Sequence, residues 1–430
     1  MKSSISIEAI TTDYGNSQIG RGAFGTINIA IHKSPTAYTY IALKSVRNAM
    51  TLDLENLSIP VFTELAALRV LSQNGGHENV IPLLSVQSYE SSGITFIFPY
   101  CPIDLHEILH SLRFRGGTKM LPSGRKSSLP NRLEDSVIRT ILRDIIRGLY
   151  YCHSKGIIHC DMKPGNVLFN TSRCRFQLAD FGLVQLTSCS ISAVGLCTLP
   201  YRSPEVLFGS QKYETSVDMW GVGLILAEML SGGRPLFHGT SVLDQLGKII
   251  DVTGTPNAQS WDGIEELPDY GKVIFETKAG VGLSSILTRL DNNEELGNIM
   301  QRLLTLDPAK RPSAKSCLHD EWMRGEFSSR QYLINALVPE KYISDYEMRL
   351  DHDTNKEERA HGLEQMKLKA VEIAISKRKG LKQYDEHQEE SCPKVASSLP
   401  SLLSSKLKSR KNDIRVRSTK SNSVEVVFET

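Results

Sequence analysis

Near residue 100 the chain changes its hydrophobic period, and few folds accommodate such a change. From Ser17 to about Tyr100 the apolar residues come in short β-type runs, "TINIAIH", "YTYIALKSV" and "ITFIFPY", which suit strands. One stretch among them, "PVFTELAALRVLSQ", repeats Val61, Leu65, Leu68 and Leu71 at helical spacing. From Leu105 onward the period is helical, most clearly in "LEDSVIRTILRDIIRGLYYCHSKG" and "SVDMWGVGLILAEMLSG". The pattern predicts an α+β protein of two parts, a small sheet-rich lobe carrying a single helix and a larger helical lobe.

At 430 residues the chain has room for one large two-lobed unit and an extension. Between residues 113 and 133 lies "RFRGGTKMLPSGRKSSLPNRL", whose Gly, Ser, Pro and basic content predicts a surface insertion. The helical lobe is expected to close near Trp322. Beyond it, "DTNKEERAHGLEQMKLKAVEIAISKRKG" predicts a charged amphipathic helix, and the Ser- and Lys/Arg-rich end has the composition of a disordered tail. The expected layout is a domain over 13–325, divided at about 100/101, followed by a tail over 326–430.

A net charge of +2 gives no ground for bulk binding to nucleic acid or membrane. The eight cysteines are scattered without a C-x-x-C pair, which argues against a zinc site or disulfide framework and for a reducing interior. The N-terminus lacks a signal-peptide pattern, and no run reaches the roughly 18 apolar residues of a membrane span. The expectation is an intracellular, soluble protein in nucleus and/or cytoplasm. "KRK" at Lys377–Lys379 and the later "KLKSRK" read equally as nuclear-import signals and as solvated charge.

Three constellations carry chemistry. "IGRGAFGTI" places Gly20, Gly22 and Gly25 between two predicted strands, where a hairpin without Cβ atoms can lie close over phosphates. Because a strand and not a helix follows, a dinucleotide fold is disfavoured. "IALK" puts Lys44 on the next strand and Glu64 lies in the lobe's single helix, a pair suited to holding an ammonium against phosphates. In "HCDMKPGN", Asp161 can accept a hydroxyl proton, Lys163 can neutralise a transferring phosphate, and Asn166 offers an amide oxygen to Mg²⁺. Asp180 in "LADFG" supplies a second hard oxygen.

Together and in this order these segments resemble a eukaryotic protein kinase, over roughly Asp13 to Met323. Further matches are "SPE" at Ser203–Glu205, Asp218 in "DMWG", and Arg311 in "DPAKRPSA", which in the family pairs with that glutamate. The resemblance implies a bilobal kinase fold using ATP and Mg²⁺. It implies Asp161, Lys163 and Thr198 as catalytic residues and Asn166 and Asp180 as metal ligands. For the nucleotide it implies Ile19, Gly20, Gly22, Gly25, Ile27, Ala42, Lys44 and Glu64, with Phe98 as gatekeeper and Pro99 to Cys101 as hinge. The "DMKPGN" form implies serine/threonine acceptors. "LPYRSPEVLFGSQKYETSVDMWGVGLILAEML" and "PLFHGTSVLDQLGKI" resemble cyclin-dependent kinases, closest to the branch that activates them.

Four departures shape the expectation. Cys160 stands where most relatives carry an arginine that binds a phosphothreonine on the activation segment. Counting back from Glu205, the threonine's place falls on Ala193, so receptor and ligand are lost together; Ser192 is the one candidate for a displaced phosphosite. "SIPVFTE" replaces the cyclin-contacting sequence, so cyclin dependence is not expected and the chain is expected to act as a monomer. In "FIFPYCPIDL" the hinge keeps a carbonyl at Pro99 and an N–H at Cys101. In "TLPYR" Pro200 replaces the usual tryptophan, so proline-directed specificity is not assumed. The leading reading is a serine/threonine kinase acting on proteins, with the activation segments of cyclin-dependent kinases as candidate substrates in cell-cycle control. The alternatives are a pseudokinase scaffold and a conventional cyclin-bound kinase.

Overall fold

The computed structural model describes residues 17–22, 25–33, 37–46, 59–89, 93–114, 118–120, 126–128, 132–187, 198–338, 347–349, 356–388, 415–418 and 424–427. They belong to two compact units, one formed by the segments up to 61, 83–100 and 345 onward, the other by 62–82 and 101–344.

In the smaller unit, β1 (Gln18–Gly22), β2 (Gly25–Lys33), β3 (Ala37–Val46), β4 (Ser85–Tyr89) and β5 (Gly93–Pro99) form an antiparallel sheet in the order β1-β2-β3-β5-β4. The β1–β2 hairpin closes at Gly22 and Gly25. A Cβ on Gly25 would stand 2.0 Å from the Ser45 carbonyl oxygen, so this position requires glycine. Alternation along β2 and β3 makes two faces. Ala30, Ile41 and Ile97 form one buried cluster, while Ile29, Ile31, Tyr38, Tyr40 and Tyr100 form another.

The second cluster is completed from the far end of the chain. A strand at Glu347–Arg349 pairs antiparallel with Thr39, Tyr38 and Ala37 of β3, and the C-terminal helix Lys356–Gln388 buries Met366, Ile373 and Ala374 against the tyrosines. Residues expected to form a tail apart from the domain therefore finish the small sheet. An amphipathic stripe shows that a helix has a face to bury; it does not show what covers it. "KRK" at 377–379 falls within this helix, and "KLKSRK" lies outside the described residues.

In the larger unit, α1 (Ile59–Leu71), α2 (Leu105–Phe114) and α3 (Asp135–Ser154) precede a helix at Thr215–Leu230. The expectation attached the first of these to the small lobe. By its contacts, all but the opening of α1 groups with the larger unit, where Tyr151 Oη donates to the Leu71 carbonyl (3.2 Å). Farther on, Leu178 N–H donates to Asn79 O and Ile81 N–H to Leu178 O, each at 2.9 Å. Helix α3 turns Ile138, Ile141, Leu142, Ile145 and Leu149 inward. Helix Thr215–Leu230 is buried on all sides from Val217 to Leu230, the pattern of a core helix. Its Gly221 lets the backbone approach the 159–166 loop, since a Cβ there would lie 2.7 Å from Met162 Cβ. The insertion contains a short hairpin of Thr118–Met120 and Lys126–Ser128. The unit runs past the expected close near Trp322. Arg330 forms a bidentate pair with buried Asp144 at 2.5 and 2.7 Å, and Leu333 and Leu337 are buried. Among the described residues no helix is long and apolar enough to cross a membrane.

Candidate active site

The loop that follows α3 is held at both ends by strands. Ile157–Ile158 pairs antiparallel with Gln185–Leu186, and Val167–Asn170 pairs with Arg175–Leu178 on one side and Ile103–Asp104 on the other. These pairings bring residues 179–184 beside residues 159–166.

Asp161 is 6% exposed, and among the described residues its carboxylate accepts four hydrogen bonds. Lys163 Nζ (2.7 Å) and Asn166 Nδ2 (2.9 Å) donate to Oδ2. Thr198 donates its N–H (3.2 Å) and hydroxyl (3.1 Å) to Oδ1. Lys163 Nζ also donates to Thr198 Oγ1 at 2.7 Å, so one ammonium ties the aspartate to the threonine. Asn166 spends its amide nitrogen on Asp161 O and Oδ2, at 2.7 and 2.9 Å, leaving its Oδ1 as the end that can accept or ligate.

His159, fully buried, joins this loop to the Asp180 segment. Its Nδ1 accepts the Asp161 N–H at 3.3 Å, so the ring proton is assigned to Nε2, which donates to the Ala179 carbonyl at 3.0 Å. Its ring also packs on Phe181, 4.9 Å between centroids.

Cys160 and Asp180 both have left-handed backbones, φ 66° and 60°. Such strain in a side-chain-bearing residue persists only where its surroundings enforce it. At Cys160 the enforcing group is Asp218, 1% exposed. Its Oδ1 accepts Cys160 N–H at 2.8 Å and its Oδ2 accepts His159 N–H at 2.9 Å. His153 Nε2 lies 2.8 Å from the same Oδ2. The Cys160 thiol is buried and directed at Ile158 O, 3.6 Å away.

The segment after Thr198 is anchored by neutral and charged partners. Tyr201 Oη donates to Glu228 Oε2 at 2.6 Å, and fully buried Gln245 donates Nε2 to the Pro200 carbonyl at 3.1 Å. The expected Glu205–Arg311 pair is present, with both bonds at 2.7 Å. Arg311 spends its other N–H donors on the carbonyls of Thr305, Ser216 and Leu306, so this buried pair is fully satisfied. His153, Tyr201 and Gln245 were not found from the sequence; their partners lie 65, 27 and 45 residues away.

The other expected positions are divided between the units. In the small unit Gly20 lies opposite Ile27, Ile27 opposite Lys44, and Ala42 opposite Phe98. This puts Ile27, Ala42, Lys44 and Phe98 on one face, with Ile19 on β1, Gly22 and Gly25 at the hairpin and Pro99 ending β5. Ile19, Ile27, Ala42 and Lys44 are half-buried. Glu64, 2% exposed, lies in α1 and Cys101 in the larger unit, its thiol pushed up to about 12 by burial. Ala193 and Ser192 lie outside the described residues.

These residues fit ATP and Mg²⁺. Ile27 and Ala42 form a half-open apolar row suited to a flat base, and Lys44 ends it with a cation. Among the described residues no cluster of three or more His, Cys, Asp or Glu could cage a metal. Asn166 Oδ1 and the exposed Asp180 carboxylate are the hard oxygens here, a sparse set that matches Mg²⁺ shared with substrate phosphates.

A family model for the protein kinase domain matches residues 15–323. The chain belongs to the protein kinase family. Among solved structures this kinase is similar to the CAK complex from Chaetomium thermophilum bound to ATP-gamma-S, with 26% identity and a TM-score of 0.61, covering 73% of this chain and 92% of that one. The kinase is thus a bilobal, cyclin-dependent-like phosphotransferase that uses ATP and Mg²⁺ and acts on proteins.

Proposed function

We propose that this kinase phosphorylates serine or threonine in the activation segments of cyclin-dependent kinases and needs no phosphate on its own activation segment. The observation that carries the catalytic part is the Lys163 bridge between Asp161 Oδ2 and Thr198 Oγ1, which holds a base and a cation where an incoming hydroxyl would meet a phosphate. Bound MgATP supplies the γ-phosphoryl group, with ADP as leaving group. Asp161 orients the acceptor hydroxyl and takes its proton as the oxygen bonds to phosphorus. Lys163 offsets charge on the transferring group, and Thr198 keeps both in register. Asn166 and Asp180 would hold Mg²⁺, and Lys44 is the cation that would meet the α- and β-phosphates.

Independence from a phosphoswitch is supported by Cys160. Its buried thiol offers no cation to a phosphate, and residues 200–205 are anchored by Glu228, Gln245 and Arg311 instead. Losing one partner of a buried ion pair costs about 3–5 kcal/mol, so arginine and phosphosite are expected to disappear together. A CAK complex among the similar structures and the intact catalytic network favour an upstream kinase over a scaffold.

Purified protein, labelled ATP, Mg²⁺ and a recombinant cyclin-dependent kinase test this reading. Label should appear on the activation-segment threonine and be unchanged after phosphatase pretreatment of the enzyme. No transfer by the unaltered protein, or an equal background with Asp161→Asn, would overturn it.

A further inference from the structure

The Ile27–Ala42–Lys44 row of the small sheet, assigned above to the nucleotide, does not end in solvent. Along β2, Ile27, Ile29 and Ile31 share one face, and Tyr38, Tyr40, Ala42 and Lys44 of β3 lie opposite them. Burial changes along this face: Ile29, Ile31, Tyr38 and Tyr40 are at most 4% exposed, whereas Ile27, Ala42 and Lys44 are half-buried. The covering element is the C-terminal helix. Leu363, Met366, Ala370, Ile373 and Ala374 recur on one side of it and pack on the cluster, which also takes in Tyr100 of the hinge and Ile19 of β1. Tyr40 Oη helps fix its position by donating to the Met366 carbonyl at 2.8 Å. Burial, with the Glu372 charge, holds that phenol well above its ordinary pKa, so it stays a donor. The Tyr40 and Tyr100 rings meet edge-on at 6.2 Å, and Tyr100 N–H reaches Tyr40 O at 3.4 Å.

We propose that the C-terminal helix, through Met366, Ile373 and Ala374, is a positioning element for ATP, bracing Ile19, Tyr40 and Tyr100 so that the Ile27–Ala42–Lys44 row is held ready for the nucleotide. The inference rests on the kinase reading of that row. A sheet face is period-2 and continuous, so a helix locked over one half restricts the twist and register of the other. Met366, Ile373 and Ala374 touch no substrate; they act through β1 and β3. A single-chain brace also gives the small unit an ordering contact that needs no second protein, in keeping with the missing cyclin-contacting sequence at 58–64.

The test uses the full chain carrying Ala374→Glu, which drives a carboxylate into a fully buried site, and Leu368→Glu on the exposed side of the same helix as control. If displacement leaves the aligned row about one-tenth populated, affinity for a fluorescent ATP analogue falls about tenfold. The KM for ATP rises likewise, the KM for the protein substrate stays put, and hydrogen exchange quickens at Ile19, Ala42 and Tyr100. Leu368→Glu leaves all four unchanged. Should Ala374→Glu fail to fold, Tyr40→Phe, which removes the hydroxyl that donates to Met366, decides the matter through a smaller loss of analogue affinity. A freed helix, seen as fast exchange over 361–377, with unchanged analogue affinity would overturn the proposal, as would an unchanged affinity in Tyr40→Phe. If the unaltered protein binds the analogue but transfers no phosphate, the kinase reading fails while the brace is still measured by binding and exchange.

Discussion

Asp161 and Asp218 are buried carboxylates of the same unit, 6% and 1% exposed, and they differ in what surrounds them. Asp218 is held by donors that cannot leave, the backbone N–H groups of His159 and Cys160, with His153 beside them. Three of the four donors on Asp161 are the side chains of Lys163, Asn166 and Thr198, which can turn when a substrate arrives. An anchoring carboxylate is spent on backbone; a reacting one is kept among groups that can exchange partners. The strained φ of Cys160 belongs to the first job, because it delivers the next residue to the second.

Substitutions at the two aspartates should therefore fail in different ways. Asp161→Asn removes the base, and kcat should fall by about 10²–10⁴-fold, with the melting temperature close to that of the unaltered protein; a comparable loss of melting temperature would erase the distinction. Asp218→Asn leaves one oxygen for donors that now use two, and stranding a backbone N–H costs about 1–3 kcal/mol. The melting temperature should drop by several degrees, with kcat falling as the loop at 159–161 loosens. Thr198→Val should sit between these patterns. The fold is kept, while Lys163 and Asp161 lose their shared hydroxyl, and kcat should fall about tenfold, the equivalent of one hydrogen bond of about 1.4 kcal/mol.

The smallest effect separates chemistry from packing among the thiols. Burial raises the Cys317 thiol to about 12, above its value in the unfolded chain. Its contribution to stability is fully present below the ordinary thiol pKa. As the pH climbs above that value the unfolded chain releases a proton that the folded one keeps, and the contribution is lost progressively toward about 12. Alkylation should find Cys317 inert at pH 8 in the folded protein and reactive after denaturation. Ready labelling in the folded state would contradict the burial.

Much of the site was legible because its chemistry is local. Asp161, Lys163 and Asn166 stand within six residues, so their types and order suggest base, cation and ligand before any fold is known. The α+β organisation was legible from the change of period near Tyr100, and the Glu205–Arg311 pair from resemblance. Other features were not. His159 looks like a neighbour of the base, and only its two nitrogens, facing Asp161 N–H and Ala179 O, show it to be a joint. Gln245 and Tyr201 carry no pattern, because one amide or phenol among many acquires a role only from a partner far along the chain.

By itself the sequence determined the reaction's ingredients and the period of each element, since both depend on residues a few positions apart. Tertiary structure decided which face each element covers. The Tyr40–Met366 bond spans 326 residues, and no local spacing encodes a contact that loop closure and packing must find together. The same holds for Cys160. Its place beside Asp161 is written in the chain, but its left-handed turn over Asp218 exists only because helix Thr215–Leu230, at Gly221, packs closely enough to hold it.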